Sequence, residues 1–201
     1  MNKEAEKLLP ANQEDDMLIK SFLAEDVQAF DKLVIKYKDI VFSLCYRIIG
    51  NYDDADDCSQ ETFIKVYNNL KNFKFKSSFP TWLYRITVNT CRNRISSSEN
   101  RMKKNSIRID YPSENSGNPL DIRDNSYNPN IVFEKNEMKR LIQTAINLLP
   151  KDLKVLIVLR DIEQKSYEDI AEITKVNLGT VKSRLARARH QLREQLREVI
   201  K

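Results

Sequence analysis

The sequence predicts an all-α protein: two small helical domains joined by a flexible linker. Three observations carry this. The 201 residues include only three glycines, while 31% are charged. Apolar residues recur at helical spacing through two long stretches, and no run alternates as a strand does. Between those stretches lies a polar segment without any period. The resulting boundaries are 14–96 for the first domain, 97–130 for the linker and 131–201 for the second domain.

In the first domain, Ala29, Phe30, Leu33, Val34, Tyr37, Ile40, Val41, Leu44, Cys45 and Ile48 define one long amphipathic helix or two in tandem. Gly50 and Asn51 end it, because glycine relieves the left-handed conformation common just past a helix. Asp53 and Asp54 are placed to cap the next helix, whose early acids suit its positive dipole end. That helix, from Asp54 to Leu70, is expected to bury Phe63, Val66, Tyr67 and Leu70. A basic, aromatic loop from Lys71 to Ser78 follows. The last helix begins near Phe79 and Pro80, since proline is tolerated in a first turn.

Residues 96–130 are dominated by Ser, Asn, Asp and Pro and hold three of the six prolines. A segment this long is no ordinary loop within one compact domain, so it reads as a tether. From Ile131 the helical period returns. Val132, Phe133, Leu141, Ile142, Ala145, Ile146, Leu148 and Leu149 form one helix, stopped by Pro150. Asp152 starts the next, with Val155, Leu156, Val158, Leu159 and Ile162 buried.

The most specific segment is Ser166–Arg189, which reads as a helix-turn-helix. Its first helix has an apolar face of Tyr167, Ile170, Ala171 and Ile173, with Glu168, Asp169 and Glu172 pointing away. Ala171 is small, as a close helix crossing requires. The turn Lys175-Val176-Asn177 offers Asn177 as the N-cap of the second helix. In that helix Val181, Leu185, Ala188 and Leu192 form the buried stripe. The opposite face carries Lys182, Ser183, Ala186 and Arg187, flanked by Thr180 and Arg184. Such side chains suit a helix in the major groove, where Arg and Lys donate to guanine edges and Ala touches a thymine methyl.

Charge is distributed unevenly. Residues 1–95 hold 14 basic and 14 acidic side chains, residues 96–130 hold 5 of each, and residues 131–201 hold 15 basic and 10 acidic, so the net +5 lies in the C-terminal third. No acid occurs between Glu61 and Glu99, while seven lysines and arginines accumulate there. Two basic surfaces suggest a polyanion touched at two places.

Other functions are excluded by residue usage. The first twenty residues do not read as a signal peptide, and no apolar run is long enough for membrane insertion. Cys45, Cys58 and Cys91 are far apart in the chain and set in apolar patterns, so three free, buried thiols in a reducing cytoplasm are expected. With no CxxC pair and His190 the only histidine, no structural zinc and no cofactor is expected. The carboxylates at Asp53, Asp54, Asp56 and Asp57 crowd a helix start, where dipole attraction accounts for them. No catalytic residue set is visible, so the chain does not read as an enzyme. An ordinary helix-turn-helix regulator would explain Ser166–Arg189 but not the basic aromatic loop followed by Trp82 and Asn89.

Two stretches, DDADDCSQETFIKVYNNLKNF with FPTWLYRITVNTCRNRI, and LLPKDLKVLIVLRDIEQKSYEDIAEIT with GTVKSRLARAR, resemble the extracytoplasmic-function group of sigma-70 transcription initiation factors. They stand in the right order and are joined by a polar linker. The resemblance implies that the first domain is sigma region 2, a helical bundle, and the second is sigma region 4. It implies binding to the coiled coil and flap of core RNA polymerase and to promoter DNA. Lys182, Ser183, Ala186 and Arg187 would read the −35 element as duplex, with Thr180 and Arg184 on phosphates. The −10 element would be read as an unpaired strand by Phe73, Lys74, Lys76, Ser77, Trp82, Asn89, Arg92 and Asn93. Trp82 is equally suited to core packing and to separating strands, and Arg94 would join Arg92 on phosphates. Asp57, Gln60, Glu61 and Ile64 would face the polymerase. An anti-sigma factor, often membrane-bound in this group, is a further implied partner. Where relatives usually place glycine in the turn, this chain has Lys175; if left-handed, it is strained by about 1 kcal/mol.

Overall fold

The computed structural model describes the backbone of residues 11–105 and 129–199 and the side chains of residues 13–98 and 137–198. Among these residues there are helices and connecting turns but no strand. Helices α1 (Ala11–Leu23), α2 (Val27–Ile49), α3 (Tyr52–Asn69) and α4 (Phe79–Asn105) form an N-terminal bundle. Helices α5 (Pro129–Asn147), α6 (Lys151–Ile157), α7 (Tyr167–Thr174) and α8 (Leu178–Val199) form the C-terminal unit. Residues 106–128, most of the expected linker, lie outside the described residues, as do the side chains of Val132 and Phe133.

The apolar stretch from Ala29 to Ile48 is a single helix rather than two in tandem. Ala29, Phe30, Leu33, Tyr37, Val41, Leu44, Cys45 and Ile48 are its buried face. It starts at Asp26, whose carboxylate accepts from the Gln28 backbone N–H, and stops at Gly50 with φ of 86°. Gly50 answers two demands at once. Its left-handed backbone favours glycine, and a Cβ there would lie 2.4 Å from the Asn147 amide of α5.

Two expectations for α3 are corrected. Its cap is Asn51, whose Oδ1 accepts from Asp54 N at 3.0 Å, while Asp53 and Asp54 sit in the first turn. Tyr67 is exposed and Phe63 only half-buried, so the buried face is Ala55, Cys58, Ser59, Thr62 and Val66, followed by Leu70. Tyr67 still packs edgewise on Phe22 and Phe30, tying α3 to α1 and α2. Helix α1 is fastened by the buried Asp15 carboxylate, which accepts from Tyr37 Oη at 2.5 Å and Lys36 Nζ at 2.7 Å. Burial, followed by this carboxylate, pushes the Tyr37 hydroxyl far above its ordinary range.

Helix α4 opens at Ser78, whose Oγ accepts from Thr81 N. It continues to Asn105, nine residues beyond the boundary that composition suggested at 96. A helix nucleated by a packed N-terminal half can propagate through polar residues at little cost per residue.

The turn between α7 and α8 follows the sequence closely. Ser166 and Asp169 cap α7 reciprocally, so Asp169 turns back to the cap instead of pointing away. Lys175 is left-handed, with φ of 57°. Asn177 Oδ1 accepts from Thr180 N at 2.8 Å, as its predicted capping role requires. Replacing Lys175 with glycine should relieve about 1 kcal/mol of strain and lose part of that to unfolded-state entropy. Thermal denaturation should show a small net rise in Tm; a fall would mean the left-handed lysine is not strained.

The two units pack against each other. Tyr84 Oη donates to Glu163 at 2.6 Å, and Lys165 Nζ lies 4.0 Å from the Tyr84 ring centroid. Gln143 donates to the Arg47 carbonyl, and Lys151 Nζ donates to Ser96. Arg92 pairs with Asp152 at 3.5 Å. One continuous set of buried residues therefore runs from Ile19 to Ala188. Between α6 and α7 the chain widens into a π-type turn over Val158–Ile162, with Val158 and Leu159 buried.

Candidate nucleic-acid interface

Helix α8 separates its two faces cleanly. Val181, Leu185 and Ala188 are at most 1% exposed, and Leu192 packs partly buried on the core. Lys182, Ser183, Arg184, Ala186 and Arg187 are all exposed, and Thr180 is half-buried beside the cap. A helix held by one stripe, with a short-side-chain basic face free, has the shape of a major-groove reader. Arg189 lies outside that face: it pairs with Asp161 through Nε and Nη2, which pins α8 to the π-type turn. Lys182 Nζ and the Arg160 guanidinium lie 5.9 and 4.7 Å from the Tyr167 ring centroid.

In the N-terminal bundle, α3 and α4 enclose an open groove of about 480 Å³. Trp82, Asn89 and Asn93, all predicted site residues, line it. Lys65, Asn69, Asn72, Arg85, Ile86 and Thr90 complete the lining and were not among the predicted site residues, although Lys65 and Arg85 belong to the basic stretch noted in the sequence. The signal was present: Ile86, Asn89 and Asn93 follow at three- and four-residue steps on α4, Arg85 stands four before Asn89, and Lys65 and Asn69 are four apart on α3. The groove offers amides that can both donate and accept, two cations, and the edge of a half-buried indole. That is the chemistry needed to hold an unstacked base and its phosphates. Lys65 Nζ is fixed at the groove by Thr90 Oγ1 at 3.1 Å and Glu61 at 2.7 Å.

The other predicted residues fall elsewhere. Phe73 is 6% exposed and buried in a ring cluster with Phe75, Phe79 and Trp82, with the indole at 5.2 Å. It supports Trp82 from beneath and does not itself present a stacking face. Trp82 therefore packs on the core rings and also lines the groove. Lys74 and Lys76 are exposed on the loop and Ser77 is half-buried, but none lines the groove. Arg92 points to Asp152 of the C-terminal unit, and its Nε is buried without a partner. Arg94 turns from the groove to α3, donating to Asp54 and Asp57. These carboxylates, Asp57 first, hold its guanidinium above the usual arginine value.

Asp57, Gln60, Glu61 and Ile64 stand together on the outer face of α3, all exposed. Gln60 donates to Asp56, and Ile64 is 61% exposed. A bare isoleucine among acids and amides is a patch that a basic partner helix with apolar stems can cover.

Comparison with known proteins agrees with this geometry. Residues 33–101 match the family model of sigma-70 region 2, and residues 139–200 match that of sigma-70 region 4. The RNA polymerase sigma-H factor of Pseudomonas aeruginosa is 33% identical over 189 residues, covering 94% of this chain and 97% of the relative. The ECF RNA polymerase sigma-E factor of Haemophilus influenzae is 36% identical over 186 residues, covering 92% of this chain and 97% of the relative. The ECF sigma factor SigW of Bacillus subtilis is also 36% identical, over 191 residues, covering 92% of this chain and all of that protein. In fold, the chain is similar to the sigma factor RpoE of Bartonella quintana, solved with the anti-sigma factor NepR (TM-score 0.62, 23% identity, covering 85% of this chain and 98% of that one). It is also similar to CnrH, solved with the cytosolic domain of CnrY (TM-score 0.63, 21% identity, covering 92% and 98%). Two matched regions in order, and relatives similar along nearly their whole length, leave one assignment: the chain belongs to the extracytoplasmic-function group of the sigma-70 family, whose members are transcription initiation factors and not enzymes.

Proposed function

We propose that this protein is an alternative sigma factor that divides promoter reading between its two units. The division follows 14–96 as polymerase-docking and −10-reading domain, 97–130 as linker, and 131–201 as −35-reading domain. The observation that carries it is the pairing, on one chain, of a free α8 face with an amide-rich groove between α3 and α4. Lys182, Ser183, Ala186 and Arg187 contact −35 bases, with Thr180 and Arg184 on the backbone. In the groove, Asn89 reads the edge of an unpaired −10 base beside Trp82. Asn93 and Lys65 flank it, and Lys74, Lys76 and Ser77 follow the strand on the loop. Arg92 joins them once released from Asp152. Asp57, Gln60, Glu61 and Ile64 dock on the coiled coil of the polymerase's largest subunit, and the C-terminal unit meets the flap.

Among the described residues no helix is long and apolar enough to cross a membrane; the site of action proposed is the cytoplasm, where core polymerase and promoter DNA are met. The fold neighbour solved with the anti-sigma factor NepR supports a protein inhibitor as a further partner. Transcription of a genomic-fragment library by purified core polymerase tests the whole reading. Defined new start sites that require this protein are expected. Shifted duplex fragments without new starts would instead make it a stand-alone regulator.

Two variants separate the surfaces. Asn89→Ala should leave −35 duplex binding unchanged while reducing promoter opening, read by permanganate reactivity of unpaired thymines. Glu61→Arg reverses the charge on the docking face and also removes the anchor of Lys65. It should weaken polymerase binding by roughly tenfold or more, as reversal of an interfacial charge does, without lowering Tm by more than a degree or two. Unchanged polymerase affinity would displace the docking face from α3.

A further inference from the structure

Cys45, Cys58 and Cys91 come from α2, α3 and α4, and all three are fully buried at 0% exposure. The Cys91 sulfur lies 3.6 Å from that of Cys45 and 3.7 Å from that of Cys58. No side of the sulfur triangle exceeds 4.8 Å. Three thiols scattered through the sequence thus converge at one point in the N-terminal bundle. Sulfurs sharing one centre through bonds of about 2.3 Å lie about 3.3 to 3.8 Å apart as the angle between bonds runs from a right angle to tetrahedral, so the spacing found here fits one shared centre.

We propose that these cysteines form a trithiol site for one trivalent thiophilic metalloid of the arsenic(III) type. Donor type, ligand number and charge select this occupant. First, the donors are all soft sulfur, which hard cations avoid. Second, among the described residues the cluster comprises these three sulfurs, which matches a three-coordinate centre and leaves a four-coordinate one short of a protein ligand. Third, charge decides between ions. Three thiolates on a divalent ion leave a net negative charge in an apolar core, whereas three on a trivalent centre leave none. The charged groups acting on Cys58 are Glu61 and Arg94, which oppose one another, and Arg94 is already engaged by Asp54 and Asp57.

The step is a ligand exchange without redox change. Arsenous acid loses its three hydroxyls as three As–S bonds form, and each thiol proton leaves with a hydroxyl as water. Because the sulfurs are enclosed, entry requires the bundle to open locally, so binding is slow and set by that opening. Once formed, the bonds join α3 and α4, which carry the docking face and the groove, to α2.

The test uses the full chain, kept reduced with a phosphine, and arsenite as the probe. Native mass spectrometry should show one added arsenic with loss of three protons. Alkylation after brief denaturation should find all three thiols protected, and the Tm should rise. Cys45→Ala, Cys58→Ala and Cys91→Ala should each weaken retention by more than about tenfold, since a chelate loses one of its three bonds. The wild-type thiol count stands even if a variant fails to fold. No retained arsenic, protection of two thiols or fewer, or preferential retention of zinc or cadmium in a competition would each overturn the proposal.

Discussion

Leu185→Ala is expected to destabilise the protein by about 2–5 kcal/mol, although Leu185 faces no DNA. The side chain is 1% exposed on α8, which packs against α5, α6 and α7 at once. Truncation leaves a cavity where three helices converge, and the surrounding side chains can collapse only partly into it. Against a total stability on the order of 5–15 kcal/mol, this is a large fraction. Chemical denaturation should show a lower midpoint, and duplex −35 binding should fall in proportion to the unfolded fraction. Addition of specific DNA should restore much of the lost stability by mass action. A midpoint within experimental error of the parent would mean that α8 is not anchored through this stripe.

Arg187→Ala is the complementary case. Arg187 is exposed on the opposite face of the same helix, so stability should stay within about 0.5 kcal/mol of the parent. Affinity for the cognate −35 duplex should fall by about 1–3 kcal/mol, and preference at one base position should relax. Binding to a duplex scrambled only at that position should change much less. Uniform loss across all sequences, with a shallower salt dependence, would instead assign Arg187 to a phosphate.

The helix-turn-helix was legible because its determinants are local. Asn177 caps its helix through a backbone N–H three residues away, and Val181, Leu185 and Ala188 declare the buried stripe by spacing alone. The groove was half legible. Trp82, Asn89 and Asn93 share one helix face, but Lys65, Asn69 and Asn72 reach the groove only because α3 packs beside α4. Basic residues were the least readable. A sequence shows that Arg92 and Arg94 are cations but not that Asp152, Asp54 and Asp57 have claimed them. The same limit hid the sulfur triangle, whose members lie 33 and 46 residues apart along the chain. Phe73 looked like a stacking platform because aromatic residues in a basic loop serve both uses, and only packing against Phe79 and Trp82 distinguishes them.

The two-faced construction of α8 has an evolutionary consequence. Lys182, Ser183, Ala186 and Arg187 are exposed, while the residues that anchor the helix lie on the other side. If the outer face reads the −35 bases as proposed, substitutions there change which bases are preferred with little effect on folding. A duplicated copy could drift to a new set of promoters one side chain at a time, passing only through folded intermediates. Families that multiply within a genome and divide its genes among paralogues need this independence of recognition from stability.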